Sequence, residues 1–324
     1  MIRVGLVGFG GMGKVHFHNY KEISNAEVVG VVTESASGTK EAEEFGLPAF
    51  ESIRELVENL DVDVIDICTP TFLHKAQVME ALSLEKHVIV EKPMALHRKD
   101  AEEMYALAEK KGKFLFVAQV LRFTKDVQIL KEIVQKGTLG KPLDAYFERV
   151  SGKPSWSQGG WLFDKEKSGL VAFDLHIHDL DLIISTFGKP KKFQYTSNGR
   201  NKKEGQEQYR ILYEYDEFSV CAETAWYHAE YPFTQRFRIY FEHGLIVQEK
   251  GVLTLYKKDQ EPFVYDTADE VLVSTGINLP PTGMFYNELS HFMSCVEEGK
   301  PSEVIQEREI LGSIEILEKI VFTH

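Results

Sequence analysis

The first 120 residues alternate between short apolar runs and longer segments with helical periodicity. The apolar runs are rich in β-branched side chains, which predicts buried strands at residues 2–7, 27–32, 62–68, 87–90 and 114–117. Segments such as residues 100–111 separate these runs and are predicted to be helical. Strands that alternate with helices in this way predict βαβ units and a parallel sheet.

After about residue 120, apolar and polar residues alternate with a period of two. This alternation predicts half-buried strands at residues 143–150, 209–215, 218–226 and 233–241. Hairpin-length turns such as Asp216-Glu217 favour an antiparallel sheet. Two further helices are predicted at residues 284–298 and 303–321. We therefore expect an α/β protein with two domains, residues 1–120 and residues 121–324.

A glycine motif, Gly8-x-Gly10-x-x-Gly13, lies between the first strand and a predicted helix at residues 14–21. In such a motif the first glycine permits a tight turn and the second lets a pyrophosphate approach the backbone. The third lets the helix pack closely on the strand. The helix N-terminus attracts phosphate. The order of strand, motif and helix predicts a dinucleotide-binding loop, and a plain glycine-rich turn is the alternative.

The end of the second strand bears on the choice between NAD and NADP, because an acidic side chain there can hold the ribose hydroxyls. Thr33 ends this strand and Glu34 follows it. Glu34 disfavours a ribose phosphate, and no arginine follows to accept one, so we favour NAD and leave NADP open. In the alternative interpretation, Glu34 is a solvated loop residue.

Ligands of parallel sheets bind beyond the carboxyl ends of the strands. This rule selects the loops at residues 69–74, 91–93 and 119–123 as candidate site loops. Lys92 is the most informative residue among them, because the adjacent Pro93 stiffens the backbone. A lysine held in this way can bind a substrate oxygen or exchange a proton with it. The alternative is an ordinary surface lysine on a turn.

A predicted helix at residues 169–187 is apolar around most of its circumference, which is typical of a buried helix. Its polar exceptions form one stripe at helical spacing, made of Asp174, His178, Asp181 and Ser185. Buried polar groups are costly unless they are paired or functional. Three interpretations are open: proton transfer by His178, a structural hydrogen-bond network, or a metal site. We favour proton transfer and expect no metal.

Composition excludes several other classes of function. The formal net charge of −13 argues against a nucleic-acid partner. No apolar run approaches the ~20 residues that a membrane-spanning helix needs. The three cysteines, Cys68, Cys221 and Cys295, have no metal-ligand spacing and suggest no disulfide framework. We expect a cytoplasmic protein that has a small-molecule substrate and binds neither nucleic acid nor membrane.

Taken in order, these motifs resemble those of the glucose–fructose oxidoreductase/inositol dehydrogenase/MocA (Gfo/Idh/MocA) oxidoreductases over essentially the whole chain. The similar segments are GFGGMG at 8–13, TPTFLH at 69–74, EKP at 91–93 and SGLVAFDLHIHDLD at 168–181. The resemblance implies an N-terminal NAD(P)-binding Rossmann domain with a doubly wound parallel sheet. It also implies a C-terminal α/β domain with a large, mostly antiparallel open sheet, which binds substrate and joins subunits into a homodimer or homotetramer.

The resemblance also implies residue roles. Lys92, Asp174 and His178 are expected to be catalytic and to contact substrate, and Arg122 and Trp161 are expected to contact substrate. In oxidation, His178 takes the hydroxyl proton, Lys92 polarises the oxygen and Asp174 orients the proton carrier. The expected cofactor-binding residues are Gly8, Gly10, Gly11, Met12, Gly13, Thr33, Glu34, Thr69, Pro70, His74, Glu91 and Lys92.

The implied reaction is hydride transfer between nicotinamide and a secondary alcohol or ketone of a sugar, polyol or related small molecule. Two alternatives remain open: an NAD-dependent glycoside hydrolase of the same fold, and a cofactor-binding regulator without turnover. Two departures from the family pattern bear on cofactor and substrate. Thr33 stands where many members have aspartate, and His176 stands where many have glycine.

Overall fold

A computed structural model describes residues 1–200, 206–277 and 280–323. The first half of the chain alternates strands and helices: β1 (Ile2–Val7), α1 (Gly11–Tyr20), β2 (Ala26–Val32), α2 (Ala36–Glu44), β3 (Ala49–Phe50), α3 (Ile53–Asn59), β4 (Val64–Ile67), α4 (Thr71–Ser83), β5 (His87–Glu91), α5 (Arg98–Lys111), β6 (Leu115–Ala118). The remaining elements are α6 (Lys125–Lys136), β7 (Pro142–Gly152), α7 (Lys165–Ser168), α8 (Ile177–Phe187), β8 (Lys192–Asn198), β9 (Gln208–Glu214), β10 (Ser219–Tyr227), β11 (Thr234–Phe241), β12 (Gly244–Glu249), β13 (Val252–Tyr256), β14 (Phe263–Val264), α9 (Met284–Glu298), α10 (Glu307–Phe322).

The first compact unit is built on a six-stranded sheet with the order β3-β2-β1-β4-β5-β6. All its strand pairs are parallel, as the continuous apolar runs predict. The strand order reverses direction at β1, so the switch point lies between β1 and β4. Ligands of such sheets bind at this point, beyond the carboxyl ends of the strands.

The first unit comprises Met1–Phe123 and also Asp269–Glu307. Helix α9 joins it through aromatic packing: the Phe292 ring stacks on Phe116 at 4.7 Å and lies edge-on to Phe123 at 5.7 Å. The two-part sequence division assigns residues 269–307 to the second domain, whereas in the structure they pack with the first. The functional division into domains 1–120 and 121–324 stays a prediction.

The second unit comprises Thr124–Ala268 and Arg308–His324, of which residues 201–205 and 324 lie outside the described ranges. Its eight-stranded sheet has the order β14-β13-β12-β11-β7-β10-β9-β8. The β7–β10 pair is parallel and the other pairs are antiparallel. In β11, the buried Phe237, Ile239 and Phe241 alternate with residues exposed on the other face. One face of the sheet therefore forms a core, as the period-two pattern predicts.

The expected fold class, a doubly wound parallel sheet plus a mostly antiparallel sheet, is confirmed. The four strands predicted in the second half correspond to β7, β9, β10 and β11 within one or two residues at each end. The sequence analysis missed β8, β12, β13 and β14. Within the described ranges, no helix is long and apolar enough to cross a membrane.

Candidate active site

The glycine loop connects β1 to α1 in the geometry that the motif predicts. Gly8 has a φ of +88°, and a Cβ there would lie 2.9 Å from the Thr69 methyl carbon. A Cβ on Gly13 would lie 2.0 Å from the carbonyl oxygen of Gly8, so helix and strand approach too closely for any side chain. At Gly10, by contrast, no described atom lies within 4 Å of the Cβ position. The open side of the loop is therefore at Gly10.

The N-terminus of α1 has the character of an anion site. The first turn of a helix has N–H groups without intrahelical acceptors, and no described side chain caps α1 or places an acid in its first turn. Gly11 is exposed, and Met12 packs against the apolar cluster of Val15, Val120 and Phe285. The loop thus fits a pyrophosphate at Gly10 and Gly11, where backbone rather than side chain is presented.

The end of β2 presents small polar groups beside an exposed carboxylate. Ser35 caps α2 by accepting a hydrogen bond from the backbone N–H of Gly38 at 3.0 Å. The hydroxyl of Thr33 lies 3.4 Å from the hydroxyl of Ser35, and Glu34 is exposed. Thr33 and Glu34 therefore lie at the carboxyl edge of the sheet, where the expectation places them, and their contact with the cofactor stays a prediction.

Lys92 directly follows β5 and is half-buried, in a loop whose Lys92-Pro93 bond is cis. The ring of His74 links this loop to the loop after β4. Its Nδ1 lies 2.9 Å from the carbonyl oxygen of Pro93, and its Nε2 lies 2.8 Å from that of Thr69. Both ring nitrogens face the backbone, so in this structure His74 shapes the two loops; its expected contact with the cofactor stays a prediction.

Two other residues predicted for the first unit are positioned by local structure. Pro70 precedes the first residue of α4, where its fixed φ suits the start of a helix. Arg122 lies in a short 3₁₀ helix and is 1 % exposed; its guanidinium donates a 2.7 Å hydrogen bond to the carbonyl of Val304. The expected contact between Arg122 and substrate stays a prediction.

The predicted helix at 169–187 begins later and less regularly than expected. Gly169 and Leu170 have positive φ values of +70° and +59°, so helical structure starts after them. A π-helical turn, Ala172–His176, leads directly into α8. Wide turns of this kind are frequent at functional sites. Asp174 lies within the turn and His178 in the first turn of α8, and both side chains are half-buried.

The other polar residues of this segment are enclosed within the second unit. Asp181, a member of the predicted stripe, is 1 % exposed. Asp179 accepts hydrogen bonds from Arg149 of β7 at 2.9 and 3.1 Å. His176 lies 2.7 Å from the Tyr213 hydroxyl, and burial together with the Arg149 charge lowers the pKa of His176 to about 3. Asp179 and His176 lie off the predicted stripe and have structural partners in Arg149 and Tyr213, whereas the three interpretations of the stripe itself stay open.

Trp161 lies in a separate segment of the second unit. It belongs to a 3₁₀ helix, Gln158–Phe163, whose Gly159 and Gly160 both have positive φ. Its indole is half-buried. The expected contact between Trp161 and substrate stays a prediction.

The sequence analysis missed a buried polar network in the first unit. This His16 network consists of His16, Tyr20, Asp66, Cys68 and Glu91. Its hydrogen bonds and ion pairs join the inner face of α1 to the ends of β4 and β5. The available signal was a carboxylate, Asp66, inside the otherwise apolar strand β4, because such a charge requires buried partners.

The structure thus gathers the predicted residues within each unit. Within the first unit, those that lie at the carboxyl edge of the parallel sheet are Gly8, Gly10, Gly11, Met12, Gly13, Thr33, Glu34, Thr69, Pro70, His74, Glu91, Lys92 and Arg122. Within the second unit, Asp174 and His178 are close in sequence at the junction of the π turn and α8.

Comparison with known families now identifies the chain. Residues 2–119 match the family model described as "Oxidoreductase family, NAD-binding Rossmann fold", and residues 127–247 match the "GFO/IDH/MocA C-terminal domain". The chain belongs to the Gfo/Idh/MocA family. The expected family and NAD as the cofactor are confirmed.

Two curated relatives in the Gfo/Idh/MocA family resemble part of the chain. Myo-inositol 2-dehydrogenase of Thermotoga maritima is 30 % identical over 191 residues, which is 58 % of this chain and 55 % of the relative. The 1,5-anhydro-D-fructose reductase of Ensifer adhaerens is 31 % identical over 185 residues, 56 % of each chain. The alignments thus span about half the length of these relatives.

Among solved structures, levoglucosan dehydrogenase in complex with NADH and levoglucosan has a TM-score of 0.85. It is 21 % identical, and the match covers 99 % of this chain and 96 % of that one. At this level of identity the likeness shows the fold alone. The likeness in fold therefore covers both compact units.

Proposed function

We propose that this protein is an NAD-dependent oxidoreductase. It transfers a hydride between nicotinamide and a secondary alcohol or ketone of a sugar, polyol or related small molecule. The observation that carries the proposal is the position of Lys92. This half-buried cation follows β5 at the same edge of the parallel sheet as the open glycine loop.

The backbone of the glycine loop is proposed to hold the cofactor. The N–H groups at the start of α1 bind the pyrophosphate, and Gly10 leaves room for it. Glu34, next to Thr33, favours ribose hydroxyls over a ribose phosphate, so NAD is preferred to NADP. When bound, NAD supplies the hydride acceptor, and the protein contributes positioning and electrostatics.

Three side chains are proposed to carry the proton chemistry. The Lys92 ammonium polarises the reacting oxygen, since a compact positive charge stabilises developing negative charge there. His178 takes the hydroxyl proton in oxidation and returns it in reduction. Asp174 orients the imidazole of His178. Arg122 and Trp161 are proposed to contact the substrate.

A substrate panel tests the reaction class. Myo-inositol and levoglucosan are oxidised with NAD or NADP, and 1,5-anhydro-D-fructose is reduced with NADH or NADPH, with the reduced-nicotinamide absorbance as the readout. We expect net, cofactor-dependent turnover of at least one compound, with kcat/KM for NAD(H) at least about tenfold above that for NADP(H).

Other outcomes favour the other two functions. Release of nitrophenol from nitrophenyl glycosides, with no net change in reduced nicotinamide, favours the glycoside hydrolase. Tight NADH binding without turnover of the panel or of the glycosides favours a regulator.

The subunit arrangement and location are also proposals. The outer face of the eight-stranded sheet carries charged pairs, including Arg236 with Glu148 at 2.9 Å and Arg210 with Glu223 at 3.2 Å. We propose that this C-terminal sheet face joins subunits into a homodimer or homotetramer. The cytoplasm is the proposed location.

A further inference from the structure

The loop that carries Lys92 is held on both sides by a buried histidine. On one side, His74 binds the carbonyl oxygen of Pro93. On the other side, the carboxylate of Glu91 accepts a 3.0 Å hydrogen bond from the Lys92 backbone N–H, and its second oxygen lies 3.2 Å from Nε2 of His16. His16 is 0 % exposed. The backbone on either side of Lys92 is therefore tied to another element.

The partners of His16 determine its protonation. Its Nδ1 lies 2.8 Å from Oδ2 of Asp66, and its Nε2 faces Glu91, so carboxylates flank both ring nitrogens. The Tyr20 hydroxyl donates to the same Asp66 oxygen at 2.8 Å, and the Cys68 thiol faces the other oxygen at 3.6 Å. A doubly protonated imidazole donates to Asp66 from Nδ1, and its positive charge at Nε2 pairs with the Glu91 carboxylate at 3.2 Å without a hydrogen bond.

The electrostatics of the His16 network agree with this assignment. Burial by itself lowers the pKa of His16, but Cys68 and Asp66 raise it by more, so the pKa lies well above its ordinary value. Burial also raises the pKa of the Cys68 thiol, so at neutral pH the contact with Asp66 is the one that favours a protonated His16.

The same facts argue against a metal at this position. Ligand atoms of His16, Asp66 and Cys68 lie within 4.8 Å of one another, close enough in principle to share an ion. Metal binding requires a thiolate and an imidazole nitrogen without its proton. The raised pKa values of both groups oppose that state. Hydrogen bonds among His16, Asp66 and Cys68 account for the short distances between their side chains.

We propose that His16 is a positioning residue for Lys92. As a buried imidazolium on α1, it holds the Glu91 carboxylate and, through it, the backbone of Lys92 at the end of β5. His16 thereby fixes the end of β5, which carries the catalytic cation, relative to helix α1, whose N-terminus receives the cofactor phosphates. The catalytic part of this inference rests on the proposed function, whereas the structural part does not.

The test compares His16→Gln, which removes the charge, with Tyr20→Phe, which removes a hydrogen bond to Asp66 but leaves Glu91 untouched. Three quantities are measured: hydrogen exchange of the Lys92 amide, NADH affinity by fluorescence, and kcat for the panel compound that the wild type turns over fastest. For His16→Gln we expect Lys92 exchange to rise by about tenfold or more. We expect kcat to fall by ~10- to 100-fold and NADH affinity to stay within about twofold. Tyr20→Phe should leave Lys92 exchange, NADH affinity and kcat near their wild-type values. This should hold even if its thermal midpoint falls as far as that of His16→Gln.

Nitrogen NMR at pH 7 provides a direct readout of the charge, because both ring nitrogens of His16 should carry protons. If His16→Gln does not fold, Glu91→Gln replaces it; Lys92 exchange should again rise and kcat should again fall, and NADH affinity is left out of this comparison because Glu91 is an expected cofactor contact. Unchanged Lys92 exchange in the folded variant overturns the inference. The inference is also overturned if kcat falls in both variants in proportion to their loss of stability. It is overturned as well if a nitrogen of His16 binds the metal in zinc-loaded protein.

The two proposals fail separately. The exchange measurement requires no substrate, so it tests whether His16 holds this strand end even if no panel compound reacts. Absence of turnover by the wild type with every panel compound overturns the proposed function alone, because the exchange measurement can still be made. Wild-type kcat in His16→Gln, with turnover lost in Lys92→Met, overturns the positioning role alone.

Discussion

At the scale of single residues, the three motif glycines do different things, and the structure separates them. Gly13 has no room for a side chain, because a Cβ would lie 2.0 Å from the carbonyl oxygen of Gly8. Gly10 has open space on its Cβ side. Gly13 therefore serves the fold, whereas Gly10 is free to serve a ligand.

We expect Gly10→Val to weaken NADH binding by at least about tenfold, or ~1.4 kcal/mol, because its side chain occupies the pyrophosphate position. Its thermal midpoint should stay close to that of the wild type. Gly13→Ala is the contrasting variant and should lose stability. Calorimetric titration and thermal unfolding measure both effects. Undiminished NADH affinity in Gly10→Val contradicts this role for the loop.

The lowered pKa of His176 predicts that the folded protein loses stability in acid. Its folded-state pKa of about 3 lies below the ordinary value of 6.5, so only the unfolded chain takes up this proton between those pH values. The free energy of unfolding therefore falls as the pH drops below about 6.5, and His176 accounts for ~2 kcal/mol of that loss at pH 5. In urea unfolding, His176→Gln should show a correspondingly smaller loss between pH 7 and pH 5.

Tyr213→Phe is the control for that measurement. It removes the hydroxyl that contacts His176 but keeps the buried imidazole. Its stability at pH 7 should fall, and its loss between pH 7 and pH 5 should remain. An equal acid-side loss in His176→Gln and the wild type contradicts the assignment.

Residue-scale prediction from sequence succeeds where a motif is local. The spacing of Gly8, Gly10 and Gly13 is enough to predict a strand-to-helix turn. The partners of His16 are 50 and 75 positions away, at Asp66 and Glu91. Hydrophobic periodicity records that a position is buried but not which distant polar group meets it.

At the scale of elements, the four strands with clear period-two alternation were predicted, whereas β8, β12, β13 and β14 were missed. The clear alternation of β11 identified it, whereas β8, KFQYTSN, has little apolar content and lies at the edge of its sheet. The π turn before α8 has no counterpart in a uniform 100° helical pattern. The projection is therefore wrong for Asp174 relative to His178; it also groups Asp181 with them, although Asp181 is 1 % exposed and they are half-buried.

Helix α9 packs in the first unit, but the sequence analysis placed it in the second domain because it follows the second sheet in the chain. Its Phe292 is 0 % exposed and stacks on Phe116 of β6. We expect Phe292→Ala to lower the free energy of unfolding by ~3–5 kcal/mol. Phe263→Ala, at a ring that is 57 % exposed, is the matched control and should change it by less than ~0.5 kcal/mol. Chemical denaturation compares them, and equal losses contradict the assignment of α9 to the first core.

At the scale of the whole molecule, we predict that subunits associate through the outer face of the second sheet. Arg236 and Arg238 are exposed on that face beside Glu148 and Asp144. Light scattering of the wild type should give two or four times the mass of the chain. The double variant Arg236→Glu and Arg238→Glu should dissociate, because like charges would then face each other on each sheet. Lys300→Glu, on an exposed loop, should not change the mass. A monomeric wild type contradicts the prediction.

The central claim is that Lys92 acts on the substrate of an NAD-dependent reaction. It is tested by kcat/KM of Lys92→Met for the panel compound that the wild type turns over fastest. Lys99→Met, at an exposed lysine of α5, is the control. We predict a loss of ~10²- to 10⁴-fold in kcat/KM for Lys92→Met, with kcat/KM of Lys99→Met unchanged. Turnover by Lys92→Met at the wild-type rate would contradict the account.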